Sequence, residues 1–194
     1  MKPNGLVARR ADYTIYDCPH SVAVRFIAQH HYARGASNTS THAHALIRKI
    51  DGLLVGVALW IPPTKAAAES VSKEAWRGVL SLSRLAVAET EPQNATTLLL
   101  GASMRRIKRD KRWHTFLTYA DTRQGHTGAI YKATNWEYLG LRRGDPSFVD
   151  KIGRQIARKA GNTTRTAEQM LALGYTKLPP SEKHKFIYRA QKGR

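Results

Sequence analysis

Two apolar runs, Ala45 to Ile50 and Leu53 to Ile61, are separated only by Asp51-Gly52, and this limits the possible folds more than any other feature of the chain. An Asp-Gly pair supplies the positive φ angles of a tight turn, so the runs read as a β-hairpin and the domain as one built around a sheet. Pro62-Pro63 ends the second strand. Residues 66 to 78 then read as a short helix or ordered loop, and Val79 to Val87 as a third strand.

Helical patterns alternate with these strands. His20 to His31 places Val24, Ile27 and His31 at helical spacing, and Asn94 is a candidate N-cap for an amphipathic helix from Ala95 to Arg109. That helix carries Leu98, Leu99, Ala102 and Ile107 on its apolar side. Thr115 to Tyr119 reads as a strand ending in Asp121, followed by a polar, glycine-rich turn, a short helix from Ala129 to Thr134 and a strand from Trp136 to Leu141. Pro146 to Leu173 reads as two basic helices separated near Gly161, and His184 to Ala190 as a last strand. The expected class is α/β, more closely a mixed α+β fold with a central mixed sheet flanked by helices. One domain is expected over 1–194, with 142–175 a basic helical, DNA-contacting insertion before the last strand.

Charge narrows the partner. Lys and Arg number 32 against 14 Asp and Glu, a formal net charge of +18, far more than solubility requires, and such self-repulsion points to a polyanion, best read as nucleic acid. The basic groups Arg105, Arg106, Arg142, Arg143, Lys151, Arg154, Arg158, Lys159 and Arg165 are the expected phosphate contacts. Cys18 is the single cysteine, and the apolar run Leu53 to Ile61 is far below the roughly 20 residues of a membrane span, so a reducing cytoplasm and no membrane partner are expected.

Asp121 stands at the end of a strand before a glycine-rich turn, where sheets with helical crossovers place their clefts; it is a candidate proton acceptor, with an Asx cap as the alternative. Tyr131 has a phenol suited to donating a proton to a leaving group or stacking on a flipped base, and otherwise reads as a core tyrosine. His31 and Tyr32 end the first helix, with His31 a candidate acid, base or cap. Arg84 lies in a mostly apolar strand, where a buried guanidinium needs an anion partner or a ligand; in a regular strand Ser83 would face the other way. His42 and His44 have the same-face spacing of a strand, but a His-x-His alone does not make a metal site, and no metal ligand is assigned. Trp60, Trp76, Trp113 and Trp136 read as packing groups, with Trp76 also a candidate wedge against bases.

Ser81-Leu82-Ser83-Arg84-Leu85, Tyr119-Ala120-Asp121 through Gly125-His126-Thr127-Gly128-Ala129-Ile130-Tyr131, Asn135-Trp136-Glu137-Tyr138-Leu139-Gly140 and the early His30-His31-Tyr32 together resemble the Mom adenine-modification proteins of Mu-like phages. The resemblance runs in order from about Ala28 to Gly140 and more weakly to His184-Lys185-Phe186-Ile187-Tyr188-Arg189. It implies a fold similar to GNAT acyltransferases and attachment of a carbamoylmethyl (acetamido) group to the adenine amine. It further implies protection of phage DNA from restriction in an infected bacterial host. Asp121, Tyr131, His31, Tyr32 and Arg84 are the catalytic residues it points to, and Ser83, Gly125, His126, Thr127 and Asn135 the substrate-binding ones.

The sequence departs from the wider acyltransferase pattern at one place. Where acetyl-CoA enzymes of that fold carry a glycine-rich pyrophosphate loop, this chain has Ala88-Glu89-Thr90-Glu91-Pro92-Gln93-Asn94-Ala95, without glycine and with two carboxylates directed toward the phosphate position. The loop argues against coenzyme A. A glycyl group adds the same atoms as a carbamoylmethyl group, so glycyl-tRNA, an aminoacyl-tRNA partner, is the expected donor. Two rival readings are an acetyl-CoA-dependent N-acetyltransferase and a non-enzymatic basic DNA-binding protein. Recovery of an altered adenosine separates the first reading from both.

Overall fold

The structure, a computed structural model, describes residues 7–144, 146–156, 158–160 and 163–190. In chain order its elements are β1 (Tyr13–Asp17), α1 (His20–His30), β2 (His42–Arg48), β3 (Leu54–Ile61), α2 (Lys65–Glu69), β4 (Val79–Val87), α3 (Ala95–Ile107) and β5 (Thr115–Asp121). There follow α4 (Ala129–Lys132), β6 (Glu137–Arg143), β7 (Ser147–Val149), β8 (Gln155–Ile156), β9 (Lys159–Ala160), β10 (Thr163–Thr164), α5 (Ala167–Ala172), β11 (Thr176–Leu178) and β12 (Glu182–Arg189). Seven strands form one sheet in the order β1-β2-β3-β4-β5-β12-β6. The chain divides into two compact units, the first comprising the described parts of Met1–Thr118, Gly128–Leu139 and Phe186–Arg194, the second Tyr119–Thr127 and Gly140–Lys185.

In the first unit β1 to β4 pair antiparallel, and the expected hairpin is β2–β3 with Gly52 at φ +69° in its turn. Ile50 lies in that turn, fully exposed, and β2 instead starts at His42. One face of the sheet is covered by α1, whose Ala23, Phe26 and Ile27 pack with Ala43, Val57, Leu59 and Ala86. The helix is rotated from the expected Val24–Ile27–His31 stripe because Phe26 offers more apolar area than Val24 or His31. The other face holds α3. There Gly56 lets the helix come close, since a Cβ at that position would lie 3.0 Å from Leu99 Cδ2. Beside it Trp60 and Phe116 meet at 5.3 Å between ring centroids, and Phe116 and Tyr188 at 6.0 Å. The α3 stripe is Ala95, Leu99, Leu100, Ser103, Met104 and Ile107, and Asn94 does not cap it by its side chain, which bonds both the N–H and the C=O of Ala8.

Two irregularities in β4 prepare the site. Leu59 pairs with Arg84 but Trp60 pairs with Leu82, so Ser83 is an extra residue and the strand is bulged. Arg84 therefore shares the α1 face with Ala86, an orientation that strict alternation from Leu82 would not give. Second, β4 and β5 are parallel and pair only at Val79–Thr115, Leu80–Phe116 and Ser81–Leu117, although β4 continues to Val87. Beyond Ser81 the strands part.

In the second unit β7 pairs with β11 and β8, and β9 pairs with β10 as a two-stranded ribbon. Phe148 and Met170 are its fully buried side chains. Among the described residues the two basic helices expected over 146–173 are not formed. Gly153 at φ +79° and the β-branched pair Thr163-Thr164 favour turn and strand, and helix is confined to α5. The Thr166–Gln169 capping box starts α5, and Gly174 at φ +79° follows its end. The expected break near Gly161 lies outside the described residues. Among the described residues no helix is long and apolar enough to cross a membrane.

Candidate active site

Three candidate side chains, Arg84, Tyr131 and Tyr32, belong to or follow elements around the place where β4 and β5 part. The Arg84 guanidinium, partly buried on the α1 face, donates from Nε to the Gly35 carbonyl at 2.7 Å and from Nη1 to the Ser83 carbonyl at 2.7 Å. Burial lowers its pKa, opposed by the Tyr32 phenol. Among the described residues no carboxylate forms an ion pair with Arg84. A cation held only by carbonyl dipoles is poised for an incoming oxyanion or carbonyl oxygen.

Tyr131 enters from α4. Its ring is buried against Trp136 at 5.5 Å and Phe186 at 5.2 Å, and its N–H bonds the Gly128 carbonyl. Gly128 sits at φ +75°, and a Cβ there would stand 2.2 Å from Phe186 Cζ, so no other residue fits. The Thr118 hydroxyl lies 3.3 Å from the Leu82 carbonyl and 3.4 Å from the Tyr131 hydroxyl. Thr118 has one proton. Donating it to Leu82 leaves its oxygen to accept from Tyr131, which satisfies all three groups. Burial raises the Tyr131 pKa, opposed by the Thr118 hydrogen bond and aided by the Tyr32 phenol, and the net upward shift keeps Tyr131 protonated. Tyr32, 45% exposed, thus bears on both Arg84 and Tyr131.

The remaining candidates are distributed differently. His31 contacts the Tyr32 ring at 4.3 Å, and its Nδ1 accepts from the Ala33 N–H at 3.1 Å. Ser83 is the bulged residue and supplies its carbonyl to Arg84. Asn135, at φ +62°, lines a groove of about 440 Å³ beside α3 with Asn94, Thr97, Arg105 and Lys108 rather than the Tyr131 cluster. Asp121 belongs to the second unit, with Gly125, His126 and Thr127. Its Oδ1 accepts from the Arg123 N–H at 3.0 Å as a helical cap, and its other oxygen has no hydrogen bond among the described residues.

Basic residues fare unevenly. Arg106 is paired with Asp17 at 3.0 Å and Arg154 with Asp150 at 2.7 Å, while Arg158 Nε is held by the Arg165 carbonyl at 2.9 Å. Arg105, Arg142, Arg143 and Lys151 are exposed, and Lys159 lies in β9. The helical face expected to align Lys151, Arg154, Arg158 and Arg165 is not found, since none of the described residues from 151 to 165 is helical.

A second polar cluster joins two residues singled out in the sequence, His44 and Trp60, through Ser103, which was not. Trp60 Nε1 donates to Ser103 Oγ at 2.7 Å, which leaves the Ser103 proton for His44 Nδ1 at 2.7 Å. His44 is then the Nε2–H tautomer, and that nitrogen faces Asp17 at 3.5 Å. Burial first of all lowers the His44 pKa to about 4 against the raising effect of Asp17, so the imidazole is neutral and the approach to Asp17 is not an ion pair. Ser103 is fully buried, which makes this cluster structural. His42 stacks on His44 at 6.0 Å, but no group of three His, Cys, Asp or Glu suited to a metal occurs among the described residues.

The loop before α3 also differs from expectation. Glu91, 1% exposed, accepts from the Tyr13 hydroxyl at 2.6 Å and from Arg48 Nη1 at 2.6 Å, so its carboxylate is turned inward and only Glu89 is left exposed. The absence of glycine and the missing Pro92 donor remain.

The sequence profile of the Mom protein family matches residues 12–193. No curated protein matches the chain in sequence. Among solved structures, a GNAT family acetyltransferase from Elizabethkingia anophelis with acetyl-CoA bound is similar with a TM-score of 0.56 at 10% identity, covering 93% of this chain and 99% of that one. The ribosomal-protein-S18-alanine N-acetyltransferase from Escherichia coli gives 0.56 at 12% identity, covering 94% and 96%. The spermidine N-acetyltransferase from Vibrio cholerae gives 0.54 at 7% identity, also over 94% and 96%. The expected GNAT-like architecture is thereby shown.

Proposed function

Since this chain belongs to the Mom protein family, we propose that it is a phage DNA-modification transferase that converts adenine in double-stranded DNA to N6-carbamoylmethyladenine and so protects that DNA from restriction. The observation that carries this reading is that one exposed phenol, Tyr32, acts electrostatically both on an ion-unpaired guanidinium, Arg84, and on a protonated buried phenol, Tyr131, whose partner Thr118 also reaches the Leu82 carbonyl where β4 leaves β5. Arg84 orients and polarises the acyl carbonyl, and Tyr131 donates to the leaving oxygen. Tyr32 offers a ring on which an extruded base can stack, because a base inside a duplex is reached only by flipping. Asp121, in the second unit, is kept as the proposed acceptor of the amine proton on the strength of its place at the end of β5 before the glycine-rich turn.

The donor in this reading is glycyl-tRNA. The adenine amine attacks the ester carbonyl, the carbon–oxygen bond to the ribose breaks, and the ribose hydroxyl leaves with a proton from Tyr131. The glycine amine then attacks C6 of the purine through a five-membered ring, the bond from C6 to the original nitrogen breaks, and that nitrogen departs as the terminal amide. Holding the amine beside the ring supplies the effective concentration this step needs.

The test is the mass of nucleosides digested from DNA of cells producing the protein. An adenosine heavier by a carbamoylmethyl substituent is expected, and unaltered adenosine would refute the reading. With nitrogen-labelled glycine charged on tRNA, the label belongs on the nitrogen attached to the ring. Label in the terminal amide alone would exclude this donor route.

A further inference from the structure

The groove beside α3 encloses about 440 Å³, a volume typical of ligand sites, and no carboxylate lines it. All of its walls belong to the first unit. One wall is α3 itself. Gly101, an unfavourable residue inside a helix, leaves bare surface there, and Arg105 Nη1 lies over it, 3.4 Å from where a Cβ would stand. Arg105 has no ion pair and no hydrogen bond among the described residues. Just past the helix end, Lys108 Nζ donates to the Tyr188 hydroxyl at 3.2 Å and lies 5.2 Å from the centre of that ring. The ammonium is thus held in place with protons to spare, and among the described residues it too has no carboxylate partner.

The facing wall is the turn after α4. Asn135 is held there at φ +62°, which asparagine tolerates better than most residues, and its side-chain amide has no hydrogen bond among the described residues. The next residue joins the groove to the proposed acid: the Trp136 ring lies 6.1 Å from Tyr188, which lines the groove, and 5.5 Å from Tyr131. Two cations without carboxylates suit a phosphate, and a free amide, donor and acceptor at once, suits a base edge. A concave slot of this size admits a single strand; a duplex is read by convex helices and ribbons that enter its grooves. We infer that this groove seats the unpaired 3′ end of the donor tRNA, with Arg105 and Lys108 on a phosphate and Asn135 on a base. An RNA end held there is one ring away from Tyr131, which is assigned to protonate its ribose oxygen. Arg105, expected among the DNA contacts, is thereby given to RNA. The identity of the occupant rests on the glycyl-tRNA reading above; the groove as a nucleotide site does not.

The experiment uses the full chain and an uncharged RNA minihelix, an acceptor stem with its unpaired 3′ end, labelled with fluorescein at the 5′ end and followed by fluorescence anisotropy. Trimming the unpaired nucleotides should weaken binding about tenfold or more. Arg105→Gln and Lys108→Gln should each weaken binding of the intact minihelix about tenfold and reduce the slope of log affinity against log salt by roughly 0.7, the value for one phosphate of a single strand. Asn135→Gly, which suits the positive φ, should weaken binding about threefold or more and leave that slope unchanged. Affinity for the trimmed minihelix and for a DNA duplex should stay within about threefold in all three variants. Arg105 and Asn135 are exposed, so their variants carry the test should Lys108→Gln fail to fold. Equal affinity for intact and trimmed minihelix, or losses in the variants that are the same for both, would overturn the site. Displacement of the minihelix by coenzyme A would give the groove to a coenzyme and overturn the assignment to RNA. The expected losses in a chain that leaves adenosine unaltered would support the groove while counting against the enzymatic reading. Adenosine altered at the parent's rate by Arg105→Gln and Lys108→Gln would overturn the groove and leave that reading standing.

Discussion

Replacing Arg84 by methionine separates a residue held for function from one held for stability. The side chain donates two hydrogen bonds to carbonyls, each 2.7 Å long, and bonds from a charged donor contribute about 1.5–3 kcal/mol. Against this, a partly buried guanidinium without a carboxylate carries a desolvation cost of several kcal/mol, which methionine of similar length removes. The two effects nearly cancel, so the urea unfolding free energy of Arg84→Met should lie within ~1 kcal/mol of the parent. Activity has no such compensation. Loss of a preorganised donor to a developing oxyanion lowers rates by about 10²–10³-fold, read as modified adenosine formed per folded molecule. Arg84→Lys should recover little, because an ammonium lacks the planar fork that reaches Gly35 and Ser83 together. A methionine variant destabilised by more than ~3 kcal/mol, yet active within about threefold per folded molecule, would show that Arg84 only tethers the Gly35 loop.

Ser103→Ala leaves the Trp60 N–H and His44 Nδ1 buried without their shared partner, so stability should fall by about 2–4 kcal/mol, a melting-point loss of roughly 5–15 °C; a loss under ~0.5 kcal/mol would dismiss the relay. The pH dependence follows from His44. Its folded pKa of about 4 lies below the ordinary 6.5, so the unfolded chain binds more protons between these values. Stability from this group is complete above pH 6.5 and is lost as pH falls toward 4, on the order of 3 kcal/mol in all; a His44→Asn variant with the same acid sensitivity would contradict this. Asp121→Asn should abolish adenosine modification with DNA affinity within about threefold, and full activity in a folded variant would leave Asp121 as a turn cap alone.

Much of the sheet is legible in the sequence because its signals are local. The apolar runs on either side of Asp51-Gly52 and the polar turn after Asp121 state their elements directly. β1 escapes because Tyr13 and Tyr16 face opposite sides of a short edge strand, so neither face reads as apolar. Residues 146–173 read as helix because lysine, arginine, alanine and glutamine all have good helix propensity, and Gly153 and the threonines outweigh it only once strands β7 to β11 pair. In the site, Tyr131, Tyr32 and Arg84 can be singled out by residue type, but the direction of Arg84 depends on a bulge that no spacing rule displays. Thr118 is invisible for another reason: its role lies in a partner thirteen positions away.

The parting of β4 from β5 after Ser81 also bears on how this protein should respond to mutagenesis. Among the described residues one edge of β4 has no strand partner from Leu82 to Val87, and an edge strand offers its amides and carbonyls to whatever lies alongside. Those groups are identical in every residue but proline. Recognition made there survives a scan that trims side chains one at a time, and the stretch would look dispensable outside Arg84. Proline, or an ester in place of a single amide, is the change that exposes it, since each deletes a main-chain donor.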